Sequence, residues 1–166
     1  MSMILEIGPG RGDFLIYLAR ERPTEKITAI EYKRKRYEKL LQRTSSFPNI
    51  ELHFGDARLV LPEFPEESID ETYILFPDPW PKRRHAKHRL FQLPFLGVLQ
   101  QVLRKKGRVV IATDDESYRN QIREVFEKST QFSLLPEIFH FPTLYAQKWE
   151  KEGKTLFSLI YEKVMV

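Results

Sequence analysis

Met3-Ile4-Leu5-Glu6-Ile7-Gly8-Pro9-Gly10-Arg11-Gly12-Asp13 decides the fold. Five residues, apolar but for one acid, run straight into glycines at alternate positions. A helical pattern follows, with Phe14, Leu15, Leu18 and Ala19 on one side of residues 13–22. A short apolar strand, a glycine turn and an amphipathic helix make the opening unit of an α/β sheet, since a strand buried on both faces reads as a continuous apolar run. The apolar run is too short to be a signal-peptide core or a membrane span.

Working outward, Lys26–Glu31, Ile50–Phe54, Thr72–Phe76 and Arg108–Thr113 repeat the strand pattern. Arg34–Thr44, with Tyr37, Leu40 and Leu41 inward, Phe91–Leu103 and Glu116–Ser129 carry the helical period between or after them. The alternation predicts a doubly wound parallel sheet with right-handed crossovers. After Thr130, two strand-like stretches, Phe132–His140 and Thr155–Val164, follow with no full helix between them, and so predict a C-terminal antiparallel hairpin. The expectation is one α/β domain over residues 1–166 with a mostly parallel seven-stranded sheet. That hairpin separates a class I methyltransferase-like, Rossmann-like sheet from a plain dinucleotide fold.

The chain has no cysteine, which excludes disulfides, thiolate metal sites and a cysteine nucleophile, and no metal site is expected. With no targeting segment in view, a cytoplasmic location is the default expectation. Net charge is +4, yet residues 82–89 hold five Lys/Arg and no acid, so the other 158 residues net −1. Concentrated charge of this kind can capture a polyanion, although a solvated helix face gives the same pattern.

Glycines at positions 8, 10 and 12 let the backbone turn and approach a ligand, but the spacing is not that of a pyrophosphate loop. Glu6 beside them favours a cationic ligand; a tight turn with no ligand remains the plain alternative. Glu31 ends the second strand 19 residues after Gly12, where an acid can accept both hydrogen bonds of a ribose diol or simply face water. Asp56 follows the third strand and fits either an adenine amino group or a helix N-cap. After the fourth strand, Phe76-Pro77-Asp78-Pro79-Trp80-Pro81-Lys82-Arg83-Arg84-His85 places three prolines in five positions. That stiffness fixes Asp78 and Trp80 at the ligand edge, although Asp before Pro is also a turn former.

These stretches, with Ala112-Thr113-Asp114 and Thr143-Leu144-Tyr145-Ala146-Gln147-Lys148-Trp149, resemble the bacterial tRNA (guanine-N7)-methyltransferases over about residues 3–164. The proline-tryptophan loop carries most of the resemblance; the glycine loop is shared by class I methyltransferases generally. The resemblance implies methyl transfer from S-adenosyl-L-methionine to N7 of a tRNA guanosine, at standard tRNA position 46 in the variable loop. It implies cofactor contacts from Glu6, Gly8, Gly10, Gly12, Glu31, Asp56 and Asp78, with Asp78 catalytic. Guanosine contacts fall to Lys82, Asp114, Thr143, Tyr145 and Ala146. Phosphate contacts are expected from Arg83, Arg84, Lys87 and Arg89.

Two features depart from the family. Ala146 stands where a glutamate is usual, and the family's N-terminal segment before the first strand is expected to be absent. The partner expected is tRNA, with no membrane and no obligate protein partner, and the chain a monomer or homodimer. The alternatives are a class I methyltransferase for another substrate, which needs no cluster of five cations, and a non-catalytic RNA-binding module of the same fold.

Overall fold

A computed structural model describes residues 2–140, 142, 151–153 and 155–165. β1 (Met3–Ile7), β2 (Lys26–Glu31), β3 (Ile50–Phe54), β4 (Ile69–Leu75) and β5 (Leu103–Thr113) are parallel; β6 (Phe132–Leu134) and β7 (Phe157–Lys163) are antiparallel to their neighbours. They form a seven-stranded sheet in the order β3-β2-β1-β4-β5-β7-β6. The chain winds outward from β1 to β3, then returns to the other side of β1 with β4. The strand order therefore reverses beside β1, and the carboxyl edge there is where α/β sheets hold ligands.

Strand alternation sends Leu5 and Ile7 to one face and Ile4 and Glu6 to the other. On the first face, Leu5 and Ile7 join Leu96 and Leu99 of α4 (Leu93–Val102) and Ile122 and Phe126 of α5 (Glu116–Glu127) in the larger core. On the second, Ile4 packs with Phe14, Leu15 and Leu18 of α1 (Asp13–Glu21) and Leu40 of α2 (Arg34–Arg43). A short α3 (Ala57–Val60) follows β3.

The expected fold class is present, and the differences are local. β4 ends at Leu75 because Phe76 turns into the left-handed region, at φ 54°. β5 starts earlier than expected, at Leu103, with a register irregularity opposite Ile69 and Glu71. α4 begins at Leu93 because Pro94 suits the first helical turn, where its missing N–H costs no bond. β6 is three residues long rather than nine, since Pro136 has no N–H to continue the ladder once Leu135 N has donated to Ile160 O. Leu41, expected inward, is 46% exposed; α2 lies towards the β3 edge and seats on the sheet mainly through Leu40. Among the described residues no helix is long and apolar enough to cross a membrane.

Candidate active site

At the reversal point a cavity of about 240 Å³ opens at the carboxyl ends of β1, β2 and β4. Its apolar walls include Ile7, Ile30 and Ile74; its polar rim includes Glu31, Tyr32, Asp56, Arg58 and Asp78. Gly8, Gly10 and Gly12 all take positive φ, at 70°, 58° and 88°. A Cβ on Gly12 would stand 2.6 Å from Leu40 Cδ2, so a side chain there would have to displace Leu40 as well as adopt the positive φ.

Glu6 lies beneath this loop, 2% exposed, and its Oε2 is buried with no hydrogen-bond partner. Burial, then the nearby Glu31 and Asp13 carboxylates, push its carboxyl up to about 8. A buried acid with an orphaned oxygen and only acids acting on its ionisation suits a cation, which would satisfy charge and lone pair together. Glu31, also 2% exposed, accepts from the Lys33 backbone N at 3.0 Å through Oε1. Asp56 caps α3, accepting from Arg58 N at 2.9 Å, and both its oxygens also receive the Arg58 guanidinium. That guanidinium holds the Asp56 carboxyl below its ordinary range, so the N-cap role is realised at the cavity wall.

The proline loop supplies the opposite wall. Besides Phe76, Trp80 is held at positive φ, 43°, a conformation that a bulky residue keeps only when its surroundings enforce it. Buried Arg89 provides one brace, donating from Nε to Pro79 O at 2.7 Å with its guanidinium over the Tyr118 ring. Trp80 packs against His88 and His85, with ring centroids 5.0 and 5.8 Å apart. Tyr32, at the end of β2, donates its hydroxyl to Asp78 Oδ2 at 3.0 Å and so ties the two walls together.

The structure gathers Gly8, Glu31, Asp56 and Asp78 around one cavity, with Glu6, Gly10 and Gly12 beside it. Lys82, Arg83, Arg84 and Lys87 are exposed on the segment that leaves the loop, and Asp114 is exposed past the end of β5. Arg89 departs from expectation: at 6% exposure it is a structural brace, withdrawn from any phosphate. Thr143, Tyr145 and Ala146 lie outside the described residues. The sequence reading missed Tyr32, Arg36, Arg58 and His88 on the cavity wall; Tyr32 directly follows the strand-ending acid, the one local hint.

A sheet of this order, with a glycine loop after β1 and an acid ending β2, defines a Rossmann-like methyltransferase fold. A SAM-dependent methyltransferase from Aquifex aeolicus superposes with TM-score 0.72 at 14% identity, covering 98% of this chain and 82% of that one. A family described as "Putative methyltransferase" matches residues 1–159. The tRNA (guanine-N(7)-)-methyltransferase of Nitrosomonas europaea is 39% identical over 169 residues, 96% of this chain and 75% of that protein. The Thermotoga maritima protein of the same name is 36% identical over 170 residues, 98% of this chain and 54% of that one. The chain belongs to the tRNA (guanine-N7)-methyltransferase family. It spans about half the length of several curated relatives it matches.

Proposed function

We propose that the chain transfers a methyl group from S-adenosyl-L-methionine to N7 of a guanosine in tRNA, in the variable loop. Family membership carries the reaction class, and the orphaned Glu6 oxygen beneath the glycine loop is the observation that favours a cationic cofactor. A cytoplasmic location fits that substrate.

Bound S-adenosylmethionine supplies an electrophilic methyl on a sulfonium. Glu31, whose Oε1 accepts from Lys33 N, would accept from the ribose diol, and the slot of Ile7, Ile30 and Ile74 suits a flat apolar ring. The glycine loop leaves backbone and space beside Glu6 for the cationic end.

Guanine N7 has an exposed lone pair, so no general base is required and positioning dominates, contributing up to about 7–11 kcal/mol. N7 becomes cationic as the bond forms, and the Asp78 carboxylate, fixed between two prolines and Tyr32, stabilises that charge. Trp80, 36% exposed on the same loop, offers a stacking face for the base. Arg83, Arg84 and Lys87 meet phosphates, and Lys82 and Asp114, with the segment containing Thr143, Tyr145 and Ala146, complete the guanosine contacts.

The test is incubation with methyl-labelled S-adenosylmethionine and, separately, unmodified tRNA, single-stranded DNA and a protein extract. Label is expected in tRNA alone; label in protein, or none in tRNA, would replace this reading with another methyltransferase substrate or a non-catalytic module.

A further inference from the structure

A second basic surface borders the same cavity. Between Lys33 and Arg43 the chain carries six Lys/Arg and a single acid, Glu38, a net charge of +5 that equals that of the proline-loop run. Lys33 and Arg34 lie over the Tyr32 and Phe54 rings, but among the described residues most of these cations have no carboxylate partner. Several arginines elsewhere meet carboxylates: Arg22 with Glu71, Arg58 with Asp56, Arg104 with Asp70, Arg108 with Glu137. Among the described residues Lys33, Arg34, Lys35, Arg36 and Lys39 form no salt bridge; of the six, Arg43 alone does, with Asp13.

The arrangement costs α2 stability. Lys35, Lys39 and Arg43 repeat at four-residue spacing, where like charges repel. Arg34, Lys35 and Arg36 fill the first turn, with no acid there to oppose the positive end of the helix dipole and no side-chain cap. A helix selected only to cover the sheet edge would not keep so many opposed charges, and local rules broken in this way mark functional surface.

Position supplies the partner. α2 leaves the carboxyl end of β2, and the proline loop leaves the carboxyl end of β4, with only β1 between them, a separation of roughly 10 Å at the sheet edge. Arg36 lines the cavity from one side and His88, within the other basic segment, from the opposite side. The Tyr32–Asp78 hydrogen bond, between residues that precede each segment in the chain, spans the cavity.

We propose that the exposed face of α2 is the second arm of an RNA backbone-binding surface, so that a strand crossing the cavity mouth is held by phosphates on both sides of the base delivered into it. The inference rests on the tRNA reading above. One arm anchors a strand on one side only; two arms fix its direction across the cavity and limit how far it slides.

The test compares Lys35→Gln/Lys39→Gln, both clear of the cavity lining, with Arg83→Gln/Arg84→Gln/Lys87→Gln and the unaltered chain, each titrated with unmodified tRNA at several salt concentrations. Two lost phosphate contacts should flatten the log-log salt slope by about 1.4–1.8. Cofactor affinity of the double variant should match that of the unaltered chain, and its melting temperature should equal or exceed it as the like-charge repulsion is relieved, which separates phosphate contact from damage to the helix. A slope changed by the proline-loop variant but not by the α2 variant would overturn the inference while leaving the tRNA reading intact, and α2 would then be a surface for an acidic protein. Salt-insensitive or absent tRNA binding by the unaltered chain would overturn both.

Discussion

Glu6 and Asp78 show how two carboxylates of one site are set to different tasks. Glu6 has its carboxyl pushed from 4.5 up to about 8, mainly by burial. Below 4.5 it is protonated in folded and unfolded chains alike and costs nothing. As pH rises from there to about 8 the unfolded chain ionises first, so the fold loses stability across that window, and the cost levels off above it. Glu6→Gln removes the titration. The melting-temperature difference, variant minus unaltered chain, should therefore grow between pH 4.5 and about 8 in cofactor-free protein. A difference constant with pH would mean that Glu6 is not a strained buried acid. Asp78 is exposed and takes the Tyr32 hydroxyl. Asp78→Asn keeps size and turn chemistry but loses the charge; single-turnover methylation should fall at least about a hundredfold, roughly 2.7 kcal/mol, with melting and tRNA affinity little changed. Tyr32→Phe should cost about two- to tenfold in the same rate, the worth of one hydrogen bond. Wild-type turnover by Asp78→Asn would shift the role to Asp114.

The elements follow the chain pattern where one force dominates and depart from it where two compete. Apolar runs and glycine or proline punctuation placed β1 to β5 and the proline loop, because burial on both faces and the missing proline N–H act locally. Arg89 was not legible. It ends a run of exposed cations, and only tertiary packing against Pro79 and Tyr118 makes it a brace. The α2 charges were hidden for another reason: acids elsewhere offset them, so the sum outside residues 82–89 looked neutral. Tyr32 meets Asp78 across 46 residues, a contact no local pattern encodes. The Arg89 assignment has its own check. Arg89→Met should lower stability by about 1–3 kcal/mol through the lost bond to Pro79 O, read by denaturant unfolding, and should leave the salt slope of tRNA binding unchanged. A flattened slope with unchanged stability would return Arg89 to the phosphate-binding surface.

At the scale of the molecule, one feature governs the rest: β4 returns beside β1, so the glycine loop, the strand-ending Glu31 and the rigid Asp78 loop share one edge of the sheet. The two basic segments leave that same edge, so the proposed cofactor cavity and the proposed RNA surface are continuous. The central claim is therefore methyl transfer to one atom of one RNA base. It is tested most directly by digesting tRNA treated with the protein and S-adenosylmethionine to nucleosides, identifying the product by mass and fragmentation, and repeating with a transcript whose variable-loop guanosine at position 46 is adenosine. The account predicts 7-methylguanosine from the first transcript and none from the second; a different methylated nucleoside, or 7-methylguanosine undiminished by the replacement, would contradict it.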